Sequence, residues 1–153
     1  MRVDEVWHRG LHGRGYRLTI PRKAILEVLS NTSDHLSAED IYMIVHKKYP
    51  AIGLTTVYRT LDILVQMGIV FKFDFGDGRS RYELMDHFSN KEHHHHLICA
   101  RCKTIIDYDD FLNEELELIN KTEDALSERH DFQIRGHMMQ FYGLCEKCRS
   151  IEQ

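Results

Sequence analysis

The chain has 153 residues, enough for one ordinary domain or two small ones with a real core, so a disulfide scaffold is not needed. At 42% hydrophobic and 29% charged residues it reads as globular, which excludes a disordered chain. No apolar run reaches the ~18 residues of a membrane helix. The charged start, Met1-Arg-Val-Asp-Glu-Val-Trp7, lacks the apolar stretch of a secretion signal, and these features together fit a cytoplasmic protein. The net charge of −4 argues, taken alone, against a nucleic-acid partner.

That charge is unevenly spread. Residues 1–86 carry 12 Lys and Arg against 11 Asp and Glu, whereas residues 87–153 carry 8 against 13. All 4 Cys and 7 of the 11 His fall in the second part. The shift predicts two domains, 1–86 and 87–153, the first near neutral and the second acidic and rich in metal-binding side chains.

In chain order, Thr19-Ile-Pro-Arg-Lys-Ala-Ile-Leu-Glu-Val-Leu29 predicts a helix with Pro21 in its first turn and Ile25, Leu26 and Leu29 inward. Ser37 is an N-cap for a second helix, with Ile41, Ile44, Val45 and Tyr49 on its buried stripe, ended by Pro50 and Gly53. Thr55 to Gln66 forms a third, with Val57, Leu61 and Leu64 inward and Thr55, Thr56, Tyr58, Arg59 and Asp62 outward. Gly68 caps it. Val70–Phe75 and Arg79–Leu84 alternate as two strands around a Gly76-Asp-Gly78 turn.

Helix, helix, turn, helix and hairpin is the order of a winged helix-turn-helix, whose recognition helix offers its N-terminal residues to the DNA major groove. Thr55, Thr56, Tyr58 and Arg59 stand at that end; arginine suits guanine, and threonine or tyrosine suits thymine or phosphate. Arg17, Arg22 and Lys23, with Arg79 and Arg81 on the hairpin, are candidate backbone contacts. A small helical domain with solvated charges satisfies the same pattern, so helix order alone leaves the DNA reading open.

The second part carries the more specific signals. Cys99-Ala-Arg-Cys102 and Cys145-Glu-Lys-Cys148 are matched pairs, and in a reducing compartment four such thiolates complete a closed tetrahedron around Zn²⁺. A closed site leaves no position for substrate and is structural. His93-His-His-His96 precedes Cys99; in an extended strand His94 and His96 face one way and His93 and His95 the other, so one segment serves two metal sites. Imidazole with carboxylate suits Fe²⁺, Mn²⁺, Zn²⁺ or Ni²⁺. Glu83, Asp107 and Glu114 are available carboxylates, and His35 and His137 further imidazoles. Beyond the cysteines, Thr104–Tyr108 predicts a strand, Phe111 to Arg129 a helix with Leu112, Leu116, Ile119 and Leu126 on one face, and Phe132–Tyr142 a long strand. Elements this short bury little alone, and DNA readers pair two-fold, which predicts that this part dimerises.

The motifs Leu18-Thr-Ile-Pro-Arg22, His35-Leu-Ser-Ala-Glu-Asp-Ile-Tyr42, Thr56-Val-Tyr-Arg59, Arg81-Tyr-Glu83, His93 to Cys102 and Tyr142 to Cys148 together resemble the ferric uptake regulator family, over nearly the whole chain. The resemblance implies an α+β protein, an N-terminal winged helix followed by a small α/β dimerisation domain. It implies a transcriptional repressor, not an enzyme, binding double-stranded operator DNA as a metal-loaded homodimer. By position it implies structural Zn²⁺ at Cys99, Cys102, Cys145 and Cys148. A regulatory Fe²⁺ or Mn²⁺, for which Zn²⁺ can substitute, falls at His35, Glu83, His94, His96 and Asp107, and a third site at His93, His95, Glu114 and His137. Arg17, Tyr58 and Arg59 match base-contacting positions.

Within the family, Glu83 stands where zinc-uptake regulators place a cysteine. Asp107 is typical of peroxide sensors, which act through iron-catalysed His oxidation. Arg59, and Glu114 with His137, resemble iron regulators. Iron-responsive repression is the favoured expectation and peroxide sensing the alternative. From a different class, two His and a carboxylate would also suit a non-haem metalloenzyme.

Overall fold

The computed structural model describes residues 3–13, 15–32, 34–85 and 93–151. The chain divides into two compact units, Met1–Lys91 and Glu92–Gln153. The expected boundary between residues 86 and 87 lies outside the described residues.

The first unit contains α1 (Val3–His12), α2 (Ile20–Ser30), α3 (Ala38–Lys48), α4 (Leu54–Gln66), β1 (Val70–Asp74) and β2 (Ser80–Leu84). Pro21 sits in the first turn of α2, and Ala24, Ile25, Leu26 and Leu29 are buried. Helix α3 begins with a complete capping box: the Ser37 side chain accepts from the Asp40 N–H at 3.2 Å, and the Asp40 carboxylate accepts from the Ser37 N–H at 3.0 Å. The Ser37 hydroxyl also donates to the Asp40 carboxylate at 2.5 Å, and that bond, with the one from the Ser37 N–H, holds the Asp40 carboxyl below its ordinary range. Val57, Leu61 and Leu64 face inward from α4, as their spacing requires, and Gly68 then takes the left-handed conformation at φ 62°. Strands β1 and β2 pair antiparallel, Phe71 opposite Glu83 and Lys72 opposite Tyr82. Tyr82 also bridges Leu36, tying the hairpin to the segment before α3.

Two features of the first unit depart from expectation. Helix α1 is not legible in the apolar pattern, because among its described side chains only Trp7 and Leu11, one turn apart, are buried; both join the core at 2% and 0% exposure. Ile44 is not on the buried stripe of α3 but 44% exposed, since Ile41 and Val45 already occupy the face toward α2 and α4.

The second unit contains β3 (His95–Cys99), β4 (Ile105–Tyr108), α5 (Leu112–His130), β5 (Gln140–Gly143) and α6 (Glu146–Arg149). The sheet order is β4-β3-β5, antiparallel between β3 and β4 and parallel between β3 and β5. The long strand expected over 132–142 is confined to β5; residues 132–139 are irregular, and β3 is paired along its length by β4 and β5. None of the 19 residues of α5 is buried: Leu112, Leu116 and Ile119 are half-buried and Leu126 is exposed. Across the sheet Leu97 stands opposite Ile106 on one side and Phe141 on the other, and all three are exposed. A unit of this size leaves its apolar surface uncovered. Among the described residues, no helix is long and apolar enough to cross a membrane.

Because Leu11 of α1 is part of the core, Leu11→Ala costs about 2–5 kcal/mol, like a central core truncation. Loss of the Ser37 cap in Ser37→Ala costs about 1 kcal/mol. Asp40 is depressed in the fold, so its contribution is present above the ordinary carboxylate pKa and is lost as pH falls through the depressed value. Urea denaturation followed by circular dichroism measures all three.

Candidate metal centres and nucleic-acid interface

Parallel pairing of β3 with β5 sets Cys99 opposite Gly143, and the Ala100 N–H donates to the Gly143 carbonyl at 2.8 Å. This lays the Cys99–Cys102 turn beside Cys145, the N-cap of α6, and Cys148 within α6. The four Sγ atoms lie within 4.8 Å of one another, with Cys102 and Cys145 3.7 Å apart. Thiolates ~2.3 Å from a zinc ion at tetrahedral angles stand ~3.8 Å apart, so the spacing fits Zn²⁺. Cys99 Sγ accepts the backbone N–H groups of Cys102 and Cys145, each at 3.5 Å. Those donors pull the Cys99 thiol down to about 5, and the Thr104 hydroxyl, 3.1 Å from Cys102 Sγ, lowers Cys102. Burial pushes Cys148 up to about 12. A cation supplies the charge that lets all four ionise together. None of the four is in a disulfide.

The alternation expected for residues 93–96 is present. The His94 and His96 rings are 5.0 Å apart, and those of His93 and His95 are 4.8 Å apart. On the first face, Asp107 of β4 stands opposite His96, and its carboxylate lies 3.7 Å from His96 Nε2 and 3.9 Å from His94 Nε2.

On the second face His137 joins His93 and His95. His93 Nε2 is 3.0 Å from His95 Nε2 and 3.1 Å from His137 Nε2. The other nitrogens are held by carboxylates: His95 Nδ1 by Glu115 at 2.7 Å, and His137 Nδ1 by Glu123 at 3.0 Å. A carboxylate oxygen only accepts, so each Nδ1 carries the hydrogen and each Nε2 presents a lone pair toward His93. One N–H on His93 satisfies only one of them, whereas a cation takes all three. Nitrogens ~2.1 Å from an ion stand roughly 3.0–3.4 Å apart, which matches this set. Burial lowers His95 toward the neutral, ligating form. Tyr108 donates to Glu115 at 3.1 Å and completes the outer support.

Glu114, expected here as a ligand, is exposed; the carboxylate that reaches this face is Glu115, which stands behind His95 rather than among the three Nε2 atoms. Leu112, Glu115, Leu116, Ile119 and Glu123 form the inward stripe of α5 at helical spacing, and Glu114 is turned away from it. Counting that stripe would have identified Glu115 and Glu123.

In the first unit, His35 Nε2 lies 4.0 Å from Glu83 Oε2. The His35 ring meets Phe73 and Phe75 edge-on at 5.7 and 5.5 Å, which fixes its direction. Glu83 belongs to β2, and the Leu36–Tyr82 bridge brings the two segments together. Of the five residues expected at the regulatory site, His35 and Glu83 thus meet within the first unit, and His94, His96 and Asp107 within the second.

The proposed reading surface lies at the start of α4. Thr55, Tyr58 and Arg59 are exposed and Thr56 is half-buried. Arg17 is exposed, and its carbonyl accepts from Arg22 Nη1 at 2.6 Å while the Arg22 guanidinium lies over the Tyr16 ring. Arg79 is exposed on the hairpin, but Arg81 is bound by Asp77 at 2.6 Å, which closes the turn at its tip.

Residues 13–142 match the model of the ferric uptake regulator family. The ferric uptake regulation protein of Bacillus subtilis (strain 168) is 40% identical, over 99% of this chain and 97% of its own length. The peroxide-responsive repressor of Staphylococcus epidermidis is 30% identical, over 91% of this chain and 86% of its own. A solved structure of the Pseudomonas aeruginosa ferric uptake regulator with manganese superposes with a TM-score of 0.67 at 28% identity, over 89% of this chain and 95% of that one. Winged-helix architecture, clustered metal ligands and these likenesses define a metal-responsive transcription regulator. The chain belongs to the ferric uptake regulator family. Its named relatives are regulators rather than enzymes.

Because Glu115 buttresses His95, Glu115→Ala weakens metal retention at the three-histidine cluster about 10- to 100-fold. Glu114→Ala leaves it unchanged. Competition with a chelator on each variant reads the difference.

Proposed function

We propose that this protein is an Fe²⁺-responsive repressor that binds operator DNA as a homodimer, and that Mn²⁺ can replace Fe²⁺ and Zn²⁺ can substitute. The carrying observation is the pair of half-sets, His35 with Glu83 in the first unit and His94, His96 and Asp107 in the second. Each is a mixed nitrogen and oxygen set of the kind that suits Fe²⁺ and Mn²⁺. An ion held by both stabilises only the conformer that unites them. If that conformer sets two recognition helices at matching half-sites, metal and DNA binding are coupled, and reciprocally so.

The remaining parts take supporting roles. Residues 1–86 act as the DNA-binding domain, with Arg17, Thr55, Thr56, Tyr58 and Arg59 at the DNA. Residues 87–153 act as the metal-binding dimerisation domain. Cys99, Cys102, Cys145 and Cys148 hold structural Zn²⁺, and His93, His95 and His137, backed by Glu115, hold the third ion. The exposed Leu97, Ile106 and Phe141 stripe and the uncovered faces of α5 supply apolar surface for a second copy. Asp107 supports a second reading, peroxide sensing through iron-catalysed His oxidation, because aspartate at this position resembles the peroxide-sensing branch, whose members are among the relatives.

Replacing both His35 and Glu83 with Ala abolishes metal-dependent DNA binding while one zinc per chain is retained. Gel shifts titrated with Fe²⁺ and Mn²⁺, beside elemental analysis, check it; unchanged metal dependence contradicts the proposal. A peroxide challenge that adds an oxygen atom to His35 or His94, only with Fe²⁺ bound, selects the peroxide-sensing reading instead.

A further inference from the structure

Tyr58, on the outward face of α4, is 40% exposed, yet its hydroxyl is not left to solvent. It donates to Glu39 Oε1 at 2.5 Å. Glu39 lies in the first turn of α3, which the Ser37–Asp40 capping box fixes in place. Arg79, on the hairpin, acts electrostatically on both Glu39 and Tyr58, so the charge of the wing is felt at this contact between the two helices. The hydrogen bond with Tyr58 is the main reason the Glu39 carboxyl sits low, so the bond is made to the ionised form at neutral pH.

A phenol has one hydrogen to donate, and here it is spent on a carboxylate. Phosphate oxygens only accept, and a phosphate placed at Tyr58 would also meet the negative charge of Glu39. What remains to Tyr58 is its ring and the acceptor lone pairs of its oxygen. Those match the amino groups of adenine or cytosine and the methyl group of thymine in the major groove. We infer that Glu39 is a positioning residue for DNA recognition: by holding the Tyr58 hydroxyl hydrogen it turns Tyr58 from a backbone-contacting donor into a base-reading side chain. The inference rests on the DNA-binding function proposed above.

The test is a double-mutant cycle in the full-length, Mn²⁺-loaded protein, with Glu39→Ala, Tyr58→Phe and the combination. The probes are a duplex selected by the wild-type protein from a random pool and a scrambled duplex of equal length. The expected result is that Glu39→Ala lowers the selected-to-scrambled affinity ratio about tenfold in the wild-type background and loses its effect on the ratio in the Tyr58→Phe background. Glu39→Gln, which keeps an accepting oxygen, retains most of the ratio. An equal effect of Glu39→Ala in both backgrounds, or a loss with Gln as large as with Ala, marks Glu39 as a general charge and overturns the inference. If the wild-type protein selects no duplex, it is the DNA-binding function itself that fails.

Discussion

Successive side chains of an extended chain point to opposite faces, and the metal chemistry of this protein depends on that constraint. Residues 93–96 are four consecutive histidines, and the backbone sorts them without further instruction: His94 and His96 toward Asp107, His93 and His95 toward His137. Three residues after His96 the same strand delivers Cys99 to the cysteine cluster. One short strand, paired on both edges, therefore fixes part of three ligand sets. A slip of one residue in its register would exchange the two histidine faces. Pairing with β4 and β5 prevents that slip.

The carboxylates give the two faces different characters. On the His93 face they stand behind the imidazoles, fixing each Nδ1–H and aiming the Nε2 lone pairs inward. On the His94 face Asp107 stands beside the Nε2 atoms themselves. The first arrangement is pre-organised and supported by Tyr108. The second is a partial set, as is His35 with Glu83, and partial sets are what a sensor needs: the ion's binding energy is then available to choose a conformation. The four cysteines form the opposite case, a closed set that favours permanent occupancy.

Much of this was legible in the sequence because it follows from short-range periodicity. Proline at the start of α2, the Ser37–Asp40 box, the Val57–Leu61–Leu64 stripe, the CxxC pairs and the His alternation each declare themselves within a few residues. What was not legible depended on packing between distant segments. Among the described side chains of helix α1 two are buried, too few for a pattern, and its place follows from the core around Trp7 and Leu11. Ile44 shares the helical spacing of the buried stripe, but the inward face is filled by Ile41 and Val45. Residues 132–139 have strand-like composition but lie outside the sheet, in which β3 is flanked by β4 and β5. Glu114 and Glu115 are equivalent as chemistry, and only the inward stripe of α5 distinguishes them. The bond between Tyr58 and Glu39 joins two helices whose individual patterns give no sign of it.

The central claim is that the two faces of one strand serve separate ions. Element-resolved metal stoichiometry of the full-length protein tests it most directly, comparing the wild type with His94→Ala/His96→Ala and with His93→Ala/His95→Ala. Each pair should remove one ion and leave the other, along with the zinc of the four cysteines, in place. Loss of both ions from either pair alone, or of neither, would contradict the account.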